Sequence, residues 1–192
     1  MASLFQENLR AHRALFDELG AIERVVQTAG ERIAASLREG GKLMLCGNGG
    51  SAADSQHIAA EFTGRFVNDR RPLAALALST DTSALTCIAN DYSFDDVFAR
   101  QVEALGRAGD CLLAISTSGN SPNVLRAAEG ARRQRMTVIG LLGRDGGKLA
   151  GVCDLSIVVP AHSTARIQEA HIFIGHTLCG VVEHALGVAQ SA

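Results

Sequence analysis

Two segments of the chain have the composition to grip a phosphate. The first, Cys46-Gly47-Asn48-Gly49-Gly50-Ser51-Ala52-Ala53-Asp54, follows a short apolar run and opens a helical pattern. Glycines let backbone N–H groups approach a ligand closely, and a helix N-terminus adds orphan donors and partial positive charge. The same stretch reads equally as a tight turn with Ser51 as N-cap. In the second, Ser116-Thr117-Ser118-Gly119-Asn120-Ser121-Pro122, four hydroxyls fall within six residues, immediately before a helical segment with Pro122 in its first turn. One hydroxyl would suffice as a cap; four, with the free N–H groups of a helix start, suit the several acceptor oxygens of a phosphate. No P-loop lysine follows either segment, which disfavours a nucleoside triphosphate and fits a monophosphate ester held by neutral donors.

Titratable residues lie just beyond. His57 and Glu61 are four residues apart, on one face of the helix that opens at the first loop. Alone, that pair is also what a surface ion pair looks like. Gln168 and His176 sit among apolar neighbours, with His171 and His184 close by. The ordinary role of such a histidine is that of a hydrogen-bonded core residue, and the polar start Arg166-Ile167-Gln168-Glu169-Ala170-His171 needs partners wherever it is buried. Asn90-Asp91 reads as a turn with helix capping.

The elements that position these residues follow from periodicity. Residues 3–39 read as two helices stopped by Gly40-Gly41. Short apolar runs at 42–46, 73–78, 111–116, 137–142 and 155–160 then alternate with helical patterns near 52–64, 82–89, 94–106, 122–134 and 164–187. Such alternation predicts a parallel sheet covered by helices, a doubly wound α/β sandwich with ligands at the carboxyl ends of its strands. The last helix is apolar on nearly every face, which predicts burial between subunits and a homo-oligomer. The 192 residues suit one domain. A formal net charge of -2 gives no reason to expect nucleic acid or an acidic membrane as a partner. The start of the chain lacks the pattern of a signal peptide, and Ile172 to Val188 is too short and too polar for a bilayer span. Five scattered cysteines without a CxxC pair fit a reduced, cytoplasmic setting.

Together the blocks CGNGGSAAD (46–54), QHIAAEFTGRF (56–66), IANDYSF (88–94), ISTSGNSPNV (115–124), GGKLAGVCD (146–154) and RIQEAHIFIGH (166–176) resemble the phosphoheptose isomerases of the sugar isomerase (SIS) domain group, over essentially the whole chain. The resemblance implies a three-layer flavodoxin-like sandwich around a central five-stranded parallel sheet: a single SIS domain over 1–192, with a helical extension at 3–39 packed on an α/β core at 40–190. It implies a homotetramer and isomerisation of sedoheptulose 7-phosphate to D-glycero-D-manno-heptose 7-phosphate, the first step toward nucleotide-activated heptose in envelope polysaccharide. One zinc ion per subunit is implied at His57, Glu61, Gln168 and His176. Substrate contacts are implied at Asn48, Gly49, Gly50, Ser51, Glu61, Asn90, Asp91, Ser116, Thr117, Ser118, Ser121 and Gln168.

In that reading Glu61 is the base that moves a proton between C1 and C2, and His176 is its partner acid or base. Gln168 and His176 are eight residues apart, about 12 Å along a regular helix. The expectation is therefore a site at a subunit interface with one of the two supplied by a neighbour, or else a break in the helix near Gln168. The competing reading is a non-catalytic SIS protein that binds phospho-sugar and associates with the replication initiator; Glu61 and His176 are the residues that discriminate against it.

Overall fold

The computed structural model describes residues 2–67 and 69–188; residues 1, 68 and 189–192 of the expected domain lie outside the described residues. Helices α1 (Leu4–Glu18) and α2 (Glu23–Arg38) are joined by a 3-10 turn over Leu19–Ile22. Ser3 caps α1, accepting from the Gln6 N–H. Val26, Ala29, Ile33, Ala34 and Leu37 form the buried stripe of α2, and the helix ends before Gly40-Gly41 as its sequence predicts.

The strands are β1 (Leu43–Cys46), β2 (Ala75–Ala77), β3 (Cys111–Ser116), β4 (Thr137–Gly143) and β5 (Leu155–Val159). They form one parallel sheet in the order β2-β1-β3-β4-β5, with Leu43 opposite Cys111 and Leu113 opposite Ile139. The intervening helices are α3 (Gly50–Thr63), α4 (Thr82–Asp91), α5 (Ala99–Leu105), α6 (Pro122–Arg133), α7 (Gly147–Ala150) and α8 (Thr164–Ala185). Alternate strand residues feed two cores. Leu43, Leu45, Leu113 and Ile115 pack with α1, α2, α3 and α8. Met44, Cys46, Leu112 and Ala114 pack with α4, α5, α6 and α7. Burial on both faces explains why the inner strands β1, β3 and β4 are nearly continuous apolar runs.

Three details depart from the sequence reading. The segment 94–106 is a 3-10 turn (Phe94–Asp96) followed by α5, because Ser93 caps the turn and the buried Gln101 amide donates to the carbonyls of Leu78 and Val97, tying the chain to the sheet where one long helix was expected. The single turn of α7 was too short to show a period. Helix α8 is covered largely by α1, α2, α3 and the sheet of its own chain, so its apolarity is answered mostly without a neighbour; Phe173 remains 47% exposed. Among the described residues no helix is long and apolar enough to cross a membrane.

Candidate active site

In the order β2-β1-β3-β4-β5 the chain leaves β1 and β3 toward opposite edges, opening a crevice between their carboxyl ends. Both glycine- and hydroxyl-rich loops start there. The first leads into α3, whose N-cap is Gly49; Ser51 is not the cap but lies buried within the first turn. The second leads into α6, whose cap residue Ser121 makes no capping bond of its own. Its hydroxyl instead lies 3.0 Å from that of Ser116, which also accepts from the Gly119 N–H. Ser118 accepts from the Asn120 N–H, and Thr117 is half-buried beside it. A reciprocal amide pair locks the loops together: each of Asn48 and Asn123 donates to the other's side-chain oxygen at 2.8 Å. Asn123 is 2% exposed and was not anticipated; its signal is its place directly after Pro122, in the first turn of the helix that opens at the hydroxyl-rich loop.

Helices α3 and α8 run side by side in the same direction. Gln168 lies against the start of α3, where a Cβ placed on Gly50 would come within 2.5 Å of the Gln168 Nε2. Two turns on, Ile58 packs on Gly175 so closely that a Cβ there would sit 2.5 Å from Ile58 Cδ1. That approach brings His176 to His57, with their Nε2 atoms 2.8 Å apart and the rings tilted edge to face at 67°. Glu61 Oε1 lies 3.4 Å from His57 Nε2, and Phe66 stacks on the outer face of His176. Helix α8 is unbroken from Thr164 to Ala185, which disposes of a break near Gln168. Within one chain His57, Glu61 and His176 converge, while Gln168 stands apart from them, against Gly50 at the start of α3.

The trio suits a divalent cation. One donor atom from each of the three lies within 4.8 Å of the other two, and the 2.8 and 3.4 Å separations bracket the edge of about 3.3 Å expected for ligands around a tetrahedral zinc. Asp54, three residues before His57 on the same helix, strengthens the case. Its Oδ2 is buried without a hydrogen-bond partner, and burial raises its carboxyl above the usual range while His57 and His176 pull it back. A spacing of three on α3 was the signal for Asp54.

Other predicted residues fall elsewhere. Asn90 and Asp91 end α4, exposed; Asn90 donates to Asp91, and with the Cys87 thiol it holds that carboxyl below its usual range. Neither caps a helix, and among the described residues neither bonds to the loops or the trio. His171 takes the ordinary core role: it is fully buried, its Nε2–H donates to the Leu142 carbonyl, and burial pushes its pKa down to about 4.

Comparison with known proteins identifies the family and the fold. Residues 9–143 match the model of the SIS domain. The phosphoheptose isomerase of Rhodospirillum rubrum is 57% identical over 171 residues, 89% of this chain and 91% of that protein. The structure of phosphoheptose isomerase from Neisseria gonorrhoeae superposes with a TM-score of 0.87 at 49% identity, covering 94% of this chain and 99% of that one. That of Francisella tularensis gives 0.91 at 37% identity, over 96% and 100% of the two chains. The chain belongs to the SIS-domain family and, within it, to the phosphoheptose isomerases.

Proposed function

We propose that the protein converts sedoheptulose 7-phosphate to D-glycero-D-manno-heptose 7-phosphate through an enediol, opening the synthesis of nucleotide-activated heptose. The observation that carries this reading is the line of contact between α3 and α8, with the glycine- and hydroxyl-rich loops at one end and the cluster of His57, Glu61 and His176 further along. Ser116, Thr117, Ser118 and Ser121, with the N-terminus of α6, hold the phosphate; Asn48, Gly49, Gly50, Ser51 and Gln168 hold the adjoining sugar. Anchoring at one end presents C1 and C2 to Glu61. Glu61 removes a proton from C1; the C–H electrons form the C1–C2 double bond as the C2 carbonyl oxygen is protonated. Glu61 then returns the proton to C2 while O1 loses its own and becomes the aldehyde oxygen. His176 carries the oxygen proton between O1 and O2, so product and substrate are isomers and nothing is consumed.

Zinc, one ion per subunit, would be held by His57, Glu61 and His176 with Gln168 as a fourth ligand, and would supply positive charge against the oxygens on C1 and C2. Glu61 has two carboxylate oxygens, one to ligate and one to abstract.

The assembly consistent with this site is a homotetramer with interfacial active sites. Gln168 and His176 stand about 12 Å apart along α8, too far for a common ion from one chain, so a neighbour supplies one of them. The reading is supported by a cleft of ≈ 490 Å³ beside the trio, lined by Phe66, Phe173, His176, Thr177 and Val181 among others. Asn90 and Asp91 would then serve a neighbour's site. The five cysteines are all free thiols, consistent with the cytoplasm.

Incubation with sedoheptulose 7-phosphate in deuterated water, followed at C1 and C2 by NMR, tests the reading. Product carrying solvent deuterium, with Glu61→Gln slowed by about 10²–10⁴-fold, is the expected outcome. No product with zinc added would sink it and favour the phospho-sugar-binding protein that associates with the replication initiator.

A further inference from the structure

We propose that Arg70 and Glu183 form a positioning clamp that sets the register of α3 against α8, and so the placement of Glu61 against His176; the inference rests on the proton-transfer roles proposed above. Arg70 lies in the irregular crossover between α3 and β2, and both side chains of the pair are 3% exposed. Its Nε donates to Glu183 Oε1 at 2.7 Å. Its terminal nitrogens donate to the carbonyls of Glu61 at 2.7 Å, Phe62 at 2.9 Å, and Gly64 and Arg71 both at 3.2 Å. A guanidinium has five N–H donors in a fixed fork; here Nε meets Glu183, one terminal nitrogen is shared among the carbonyls of Phe62, Gly64 and Arg71, and the other meets that of Glu61.

The location gives these bonds a purpose beyond the ion pair. The carbonyls of Glu61, Phe62 and Gly64 stand at the C-terminal end of α3, where a helix leaves acceptors unsatisfied and its dipole favours a cation. One of them belongs to Glu61 itself. Glu183 follows His176 by seven residues, two turns of α8, and so shares its face of the helix. The chain of bonds therefore runs from the backbone of the proposed base to the stripe of α8 that carries its partner. A buried ion pair is a weak stabiliser compared with apolar packing, but its directional bonds fix two helices in one register. The phosphate loops are remote from it. Gly50 precedes Glu61 by eleven residues, about 16 Å along α3, so the clamp bears on turnover and leaves phosphate binding alone.

Steady-state kinetics of Arg70→Lys and Glu183→Gln test this, with Ile33→Val, a buried change in α2, as the control for simple destabilisation. Lysine at the first position keeps the charge but concentrates its donors on one atom, and glutamine at the second keeps the shape without the charge. Well below the melting transition, with circular dichroism unchanged, both clamp variants are expected to lose about 10- to 100-fold in kcat with KM within about threefold. Ile33→Val should melt earlier at full kcat. Wild-type kcat in both clamp variants overturns the inference, and so does an equal loss of kcat in Ile33→Val. Should Arg70→Lys fail to fold, Glu183→Gln decides alone. Glu61→Gln run alongside separates the two readings. Activity in that variant withdraws the role of Glu61, whereas an inactive Glu61→Gln beside fully active Arg70→Lys and Glu183→Gln withdraws the clamp only.

Discussion

Substitution of Gly175 by alanine should cost far more in turnover than in stability. The new Cβ would lie 2.5 Å from Ile58 Cδ1 and 2.9 Å from Ile58 Cγ1, where carbon atoms normally settle at about 3.5–4.0 Å. Relief therefore needs about 1 Å of movement between side chain and helices. Ile58 is fully buried, so the movement is shared with α8. Overpacking of this kind costs about 1–3 kcal/mol, while replacing glycine by alanine in a helix interior returns about 1 kcal/mol. The net loss is about 0–2 kcal/mol, a fall in melting temperature of no more than about 8 °C for a chain of this size. His176 adjoins Gly175, however, and a displacement near 1 Å at a reacting group costs up to about 10²-fold in rate. Gly175→Ala should thus melt almost normally with kcat reduced about 10- to 100-fold. Trimming the obstructing methyl in Gly175→Ala/Ile58→Val should restore most of the rate. The assay is kcat and thermal melting of both variants and of Ile58→Val, read as a double-mutant cycle. A fully active Gly175→Ala, or a loss that the second substitution leaves untouched, would refute the view that this contact sets the His57–His176 approach.

Three further outcomes follow from the same geometry. Ser121→Ala removes the hydroxyl facing Ser116; losing one hydrogen bond to an ionised phosphate, about 1.5–3 kcal/mol, should raise KM about 10- to 150-fold with kcat nearly unchanged in initial-rate measurements. His171 is held neutral, with its pKa down at about 4 from an ordinary 6.5. Below pH 6.5 the unfolded chain binds a proton that the folded chain refuses, so stability falls with pH from 6.5 toward 4, by about 2 kcal/mol at pH 5. Urea unfolding of wild type and His171→Gln at pH 7.5 and 5 should show that part of the slope vanish in the variant. His57→Ala should weaken zinc binding at least about tenfold in competition with a chromogenic chelator, and unchanged affinity would remove His57 from the ligand set.

Much of this molecule was legible in its sequence because the signals are local. Five short apolar runs alternating with helical patterns argued for a parallel sheet covered by helices, and the loops after β1 and β3 announced themselves by composition within a few residues. The pairing of His57 with Glu61 was a matter of helical spacing. What stayed hidden depends on which distant residues meet. Asn48 and Asn123 are 75 residues apart; Asn48 drew notice as a loop residue, but nothing local pairs it with the amide of Asn123. Arg70 and Glu183 are 113 apart, and neither a lone arginine in a crossover nor a lone glutamate in an apolar helix carries any periodicity. Asp54 was within reach, three residues from His57, but a carboxylate at a helix start is usually read as dipole complementation.

The apolarity of α8 shows why one sequence signal can have two physical answers. A helix apolar nearly all round must be buried, yet the pattern does not say by what. Here α2, α3 and the sheet take most of its circumference, and Gly175 against Ile58 and Gly30 against Val181 let α3 and α2 close in on it. The same tight packing decides the chemistry. A straight helix held this closely along α3 must deliver its side chains at intervals of about 1.5 Å per residue, with Gln168 at the loops and His176 beside His57 and Glu61. A break in α8 would have let both side chains reach one ion and would have surrendered the buried seam that positions them. The unbroken helix keeps the seam, so the ligand set proposed above needs a second subunit if Gln168 and His176 are to meet one ion.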